Sequence, residues 1–179
     1  MFVKLEDPRT APLVVLSASA AVLSGAFAFQ YVGGYLPCIL CLYQRFPYAI
    51  AIALSIVALM LASRGGGSGA AARLLVYACG VLFVIGAGIA FFHVGVEQHW
   101  WTGTAECSGS ASGAGSVAEL EAMIKTAPVV RCDQVAWSLF GISMAGYNVP
   151  ISLALAAFAF LAPRCAARHR RGPGAGATR

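Results

Sequence analysis

Four long apolar runs, separated by short polar breaks, dominate the chain. The first covers about 11–32, interrupted only by small residues and by Gln30, and is long enough to cross a bilayer as a helix. A secretory leader would be shorter and would follow a purely basic start, whereas Glu6 and Asp7 stand here beside Lys4 and Arg9. Cleavage after Ala20 or Ala28 is therefore the lesser alternative. The turn Gly33-Gly34-Tyr35-Leu36-Pro37 is too brief to leave the membrane surface, and a second run over about 42–62 follows it closely. Pro47 lacks an N–H and cannot bond the carbonyl of Tyr43, which predicts an open or bent backbone beside Arg45. Irregular backbone at that depth lines cavities.

The Gly-rich linker from Arg64 to Gly69 is the clearest break. Beyond it a third run covers about 74–93, where Gly80, Gly86 and Gly88 would let a neighbouring helix approach. It ends in His93, Glu97, His99 and the pair Trp100-Trp101, which suit an aromatic interface belt. A polar, Gly/Ser/Ala-rich stretch from Thr102 to Gln134 reads as a mobile loop with one or two helical turns over Val117 to Lys125. The apolar segment from Val135 to Ile142 is too short to span and suits a short interfacial helix. A fourth run covers about 145–162, with Asn148 and Pro150 in its first turns, before a basic tail that reads as disordered.

The fold class is thus an all-α integral membrane protein: a four-transmembrane-helix bundle with a mobile outer loop and a short interfacial helix. It forms a single domain over residues 1–179, with outer loops at 33–41 and 94–144 and a tail at 163–179. Composition agrees, with 59% hydrophobic and only 11% charged residues and a mean hydropathy of +0.77, far more apolar than a soluble domain requires. The net charge of +5 could suggest nucleic acid, but its distribution answers that. With both termini and the Gly-rich linker on the cytoplasmic side, that side holds every Lys and Arg except Arg45, Lys125 and Arg131, as membrane insertion favours. Nucleic acid is not needed to explain the charge.

This topology puts four of the six cysteines outside: Cys38 and Cys41 in a CxxC at the mouth of the second span, and Cys107 and Cys132 in the second loop. Cys79 and Cys165 read as a buried small hydrophobe and an idle cytoplasmic thiol. Three readings of the outward cysteines compete. They could be structural staples in an oxidising compartment. They could hold a metal, alone or with His93 and His99, although Cys107 and Cys132 lack the second short knuckle of a zinc site, so no metal is assigned. Or they could form a dithiol relay, with the loop pair meeting a soluble partner and the CxxC facing a lipid-soluble carrier. The second thiolate of the CxxC would be favoured at a helix start, with Arg45 one turn along the same face. Arg45, Tyr43, Gln44 and His93 are candidate donors to the oxygens of a bound ring. The plain alternative for Arg45 is an interfacial anchor that snorkels to the headgroups.

Pro37-Cys38-x-x-Cys41 followed by Tyr43-x-Arg45, the histidine near the end of span three, the loop cysteines and the run from Cys132-Asp133 through Gly141 to Tyr147-Asn148 closely resemble the disulfide bond formation protein B (DsbB) family of inner-membrane thiol oxidoreductases. The resemblance covers nearly the whole chain. It implies a quinone-dependent protein-dithiol oxidase in the bacterial inner membrane, with the cysteine loops periplasmic. The partner would be a periplasmic thioredoxin-fold dithiol oxidase of the DsbA type, and the electron acceptor ubiquinone or menaquinone, bound non-covalently from the membrane pool. Carried over by position, Cys107 meets the partner and Cys132 is its loop mate. Cys38 exchanges with the loop through a transient Cys38–Cys132 link, Cys41 is the quinone-proximal sulfur, and Arg45 and His93 are quinone contacts. The Gly/Ser/Ala-rich stretch after Cys107 departs from the family pattern. A reductase resembling vitamin K epoxide reductase is the main alternative, disfavoured because its CxxC belongs to the last span of the core. A non-enzymatic scaffold with structural disulfides is the other.

Overall fold

In the computed structural model, residues 7–64, 68–104, 107, 116 and 130–170 are described. Among them four helices are long and apolar enough to cross a membrane: Thr10–Tyr31, Ile39–Arg64, Gly69–Glu97 and Met144–Cys165. Helix α1 (Thr10–Tyr31) opens where the carboxylate of Asp7 accepts from the N–H of Arg9 and its carbonyl from that of Thr10. It closes at Gly34, whose φ of 73° turns the chain so that the Tyr35 N–H returns 3.1 Å to the carbonyl of Phe29.

The second span is two helices, α2 (Ile39–Tyr43) and α3 (Arg45–Arg64), parted at Gln44. Pro47 sits in the opening turn of α3, so the open backbone expected beside Arg45 has its cause two positions on from that arginine. Helix α4 (Ser68–Glu97) packs against both α3 and the last helix, α5 (Met144–Arg170), while α1 packs mainly on α3. Val15, Tyr48, Ala51, Cys79, Phe83 and Ala156 form the core where these helices meet. In lipid such a core is held by close packing rather than by removal from water. Small residues matter accordingly: a Cβ on Gly80 would stand 2.9 Å from the Phe160 ring, and one on Gly86 3.4 Å from Pro47. Gly88 has open space around it and does not take part in an approach. Cys79 is a packing residue, as its position suggested.

The helices overrun the expected spans. Residues 94–97, assigned to the outer loop, continue α4, which ends where His99 takes a left-handed φ of 58°. Trp101 then folds back, stacking on Phe92 at 5.8 Å and donating from Nε1 to the Phe92 carbonyl at 2.9 Å. Residues 39–41 are likewise helical. Helix α5 runs through Pro163 to Arg170, so the tail is not irregular from 163; the Ala-rich stretch beyond the proline favours continuation.

The largest correction concerns residues 135–142, which contain no interfacial helix. They lead into a hairpin, β1 (Ser138–Leu139) and β2 (Ile142–Ser143), with Ser138 opposite Ser143 and Leu139 opposite Ile142. Phe140 and Gly141 both have positive φ, 51° and 78°, as the tight two-residue connection of a twisted hairpin demands. Tyr147 ties the hairpin to α5 by donating to the Leu139 carbonyl at 3.0 Å. The expected loop mobility and the helical turns over 117–125 lie outside the described residues.

Candidate active site

Cys38 is the N-cap of α2: its extended backbone starts the helix, and its sulfur accepts from the Cys41 N–H at 3.2 Å, the task a serine usually performs. This brings the two sulfurs to 2.8 Å, unbonded yet close enough to join. Cys38 donates its S–H to Cys41, and that bond together with burial pushes the Cys38 thiol up from its ordinary value. The two cysteines face different surroundings: Cys38 is 5% exposed among apolar side chains, whereas Cys41 opens on a cavity.

That cavity, about 430 Å³, lies between α1, the Tyr35–Pro37 turn, the hairpin segment and the start of α5. Its walls are largely apolar, Phe29 and Trp137 among them with ring centroids 4.9 Å apart. Its polar lining includes Cys41, Gln44, Arg45, Tyr48 and Asn148. Arg45 does not stand as a bare charge: Nη1 donates to Gln30 at 2.6 Å and the guanidinium lies 5.1 Å over the Phe27 ring. Both contacts are to α1, so Arg45 spans the cavity mouth as a fixed planar donor.

His93 sits elsewhere. It is 3% exposed, is not among the cavity-lining residues, and places Nε2 3.5 Å from Cys38 and 3.8 Å from Glu97 Oε1. Its Nδ1 lies 2.8 Å from Gln44 Nε2. The expected ring contact thus faces Cys38 and meets the cavity only through Gln44.

Cys107 and Cys132 are joined in a disulfide. Both are buried, and together with Cys38, Leu40 and Val96 they form one apolar cluster, against which Cys41 and Phe92 pack. A second hollow, about 540 Å³ and more polar, is lined by Cys107, His99, Trp100, Trp101, Arg131 and Asp133. Arg131 grips both oxygens of Asp133, which holds that carboxyl below the ordinary carboxylate range. Cys38, Cys41, Cys107 and Cys132 thus meet in one cluster, an arrangement that could carry disulfide exchange.

The ligand atoms of Cys38, Cys41 and His93 lie within 4.8 Å of one another, a donor set that suits a soft divalent ion. The hydrogen bonding speaks against it. Gln44 Nε2 also faces the Leu40 carbonyl at 3.3 Å, so it is the amide nitrogen that meets Nδ1. That leaves the ring hydrogen on Nε2, the atom a metal would need.

Sequence reasoning missed Tyr48, Glu97, Trp137 and Ser143. Two signals were present: Glu97 follows His93 by four residues on one helical face, and polar Asn148 opens an apolar span.

Residues 8–162 match the family described as disulfide bond formation protein DsbB. The chain is also similar to the uncharacterized protein RP370 of Rickettsia prowazekii (strain Madrid E), 26% identical over 160 residues that cover 88% of each chain. No solved structure matches it.

Proposed function

The chain belongs to the disulfide bond formation protein DsbB family, membrane thiol oxidoreductases, and on that premise we propose that it reoxidises a periplasmic thioredoxin-fold oxidase of the DsbA type and passes the electrons to a membrane quinone. The observation that carries this reading is that both cysteine pairs lie in one buried cluster while each shows one sulfur to a different hollow.

In the exchange, a partner thiolate attacks Cys107, the Cys107–Cys132 bond breaks, and Cys132 leaves with the electron pair. The second partner thiolate then releases Cys107, so the partner gains a disulfide and the loop two thiols. Cys132 next attacks Cys38 of an oxidised Cys38–Cys41 pair, Cys41 leaves, and Cys107 closes on Cys132 to free Cys38. Each step forms one S–S bond as another breaks.

The apolar cavity at Cys41 fits a flat quinone ring: it offers aromatic walls and a few polar handles, the usual make-up of a small-molecule site. A bound quinone supplies a two-electron, two-proton acceptor. Arg45 would hold it through a ring oxygen with the same guanidinium that faces the cavity, beside Asn148, whose Nδ2 gives one of its two hydrogens to Gln44. Cys41 is the sulfur that gives up electrons there. The distribution of Lys and Arg supports an inner-membrane protein with both termini cytoplasmic.

The test is to mix the purified protein with a reduced DsbA-type oxidase and a short-chain ubiquinone. Ubiquinone reduction should keep pace with partner oxidation, and Cys132→Ser should accumulate a mixed disulfide between Cys107 and the partner. Partner oxidation without ubiquinone reduction, or a trapped complex running through Cys38 or Cys41, overturns the reading.

A further inference from the structure

A chain of buried hydrogen bonds runs from the cavity wall to Cys38, and it has a direction. Tyr48 donates its hydroxyl to Asn148 Oδ1, and Ser152 lies within 3.4 Å of the same oxygen. Asn148 therefore turns its amide nitrogen to Gln44 Oε1, at 2.7 Å. Gln44 in turn offers its nitrogen to both the Leu40 carbonyl and His93 Nδ1. With Nδ1 accepting, neutral His93 carries its hydrogen on Nε2, facing Cys38 at 3.5 Å.

On the Nε2 side stands Glu97, buried at the end of α4. Its Oε2 accepts from the Ser143 hydroxyl, and Ser143 Oγ accepts from the Gly146 N–H at 3.0 Å, which leaves Ser143 its own hydrogen to give to Glu97. The other oxygen, Oε1, faces His93 Nε2 at 3.8 Å. One imidazole hydrogen thus stands near a sulfur and a carboxylate, with the Cys132 backbone as a further hydrogen-bond partner of the ring.

We propose that Asn148 and Gln44 fix His93 as an Nε2–H donor to Cys38, and that Glu97, anchored by Ser143, is a positioning residue that competes with Cys38 for that same hydrogen. When the loop disulfide closes and Cys38 leaves a mixed disulfide, one S–S bond forms, one breaks, and the electron pair of the attacking thiolate ends on Cys38. No proton is needed at that moment, but a negative charge appears on a sulfur that is 5% exposed. The His93 N–H meets it there; a hydrogen bond to a charged group in such a site contributes about tenfold to a hundredfold in rate. Nε2 lies 3.5 Å from Cys38 and 3.8 Å from Glu97 Oε1, and the ring also hydrogen-bonds the Cys132 backbone, so the donor is not left unpaired when Cys38 is in the mixed disulfide. His93 is accordingly a catalytic residue for the sulfur, not for the cavity.

The groups that face Cys38 are Cys41 on α2, Arg45 on the cavity side of Cys41, His93 and Glu97 on α4, and the disulfide-bonded loop cysteines with the Arg131–Asp133 pair beyond them; Ser143 and Asn148 are neutral. The inference uses the proposed function only to place the step in turnover, and its test needs neither partner nor quinone. In the full chain labelled with nitrogen-15 histidine, with His93→Gln used to assign the signals, His93 should show a protonated Nε2 and a bare Nδ1. Gln44→Leu or Asn148→Leu should mix the two tautomers. In the reduced dithiol, the pH at which Cys38 is half alkylated by iodoacetamide should rise by about one unit in His93→Leu, a tenfold loss of thiolate. It should fall in Glu97→Gln, and fall less in Glu97→Asp, which keeps the charge at a greater distance. A protonated Nδ1 in the wild type, or Glu97→Gln moving Cys38 in the same direction as His93→Leu, overturns the proposal. Shifts as stated in a protein without oxidase turnover would sink the function and leave this inference standing; turnover without the shifts would do the reverse.

Discussion

The two cysteine pairs share a cluster but live in different solvents. Cys41 opens on a hollow walled by Phe29, Trp137 and the apolar face of α1, whereas Cys107 opens on one lined by Arg131, Asp133 and His99. Cys107 is as buried as Cys38, each 5% exposed, and Cys132 is fully buried, so what separates the pairs is which hollow a sulfur lines rather than how exposed it is. A pair that must meet a protein needs a wet, polar approach, and one that must meet a lipid-soluble ring needs a dry one. A single dithiol at a bilayer surface could not offer both. On the proposed function, one sulfur of each pair in its own hollow would separate the two encounters, while the shared cluster leaves exchange between the pairs a matter of contact.

The strongest way to break this comparison is to remove one outer sulfur at a time. Cys41→Ser should take turnover to the uncatalysed rate with either donor, the protein partner or dithiothreitol. Cys107→Ser should abolish oxidation of the partner but leave dithiothreitol-driven ubiquinone reduction, since the small dithiol can enter the hollow at Cys41. Parallel loss of both activities in Cys107→Ser would mean the hollows are not separable.

A smaller effect is expected from Arg45. Arg45→Met should slow ubiquinone reduction by roughly 100-fold, about 2.7 kcal/mol at 1.36 kcal/mol per decade, while leaving alkylation of Cys107 in the reduced protein unchanged. Arg45→Lys should recover only part, because a point charge cannot donate to Gln30 and to a ring oxygen as a fixed fork does. Wild-type kinetics in Arg45→Met would leave the dry hollow without its charged donor.

The smallest effect should come from the wet hollow. The Arg131–Asp133 pair is solvent-exposed, so Asp133→Asn should raise the KM for the partner by no more than about threefold and leave kcat alone. Arg131 depresses the Asp133 carboxyl, so the pair is complete above the ordinary carboxylate range and is lost only as pH falls through the lowered value. Partner KM in the wild type should therefore stay flat from neutral pH down to the carboxylate range.

Much of this was legible in the order of residues. Four apolar runs of spanning length, the biased placement of Lys and Arg, and a CxxC at the mouth of the second run follow from local patterns that a bilayer enforces strongly, because every unpaired backbone group in lipid is costly. Even the break at Gln44 was written in Pro47, three residues on. Residues 135–142 misled because apolar character without a clear period suits an interfacial helix and a hairpin equally well. What distinguishes them is Phe140-Gly141, whose left-handed backbone appears only in the folded turn.

The chain by itself thus determined that the protein spans a membrane, where its cysteines lie along it, and which residues stand beside them. Only the tertiary structure decided which sulfur faces which hollow and that His93 turns to Cys38. It also decided that Gln44, Asn148, Glu97 and Ser143, from the break between α2 and α3, two further helices and a hairpin, form one network around the imidazole. The reason is physical. Insertion reads hydropathy over contiguous residues, whereas a hydrogen-bond network is set by side chains up to 104 positions apart, whose meeting depends on how the helices pack.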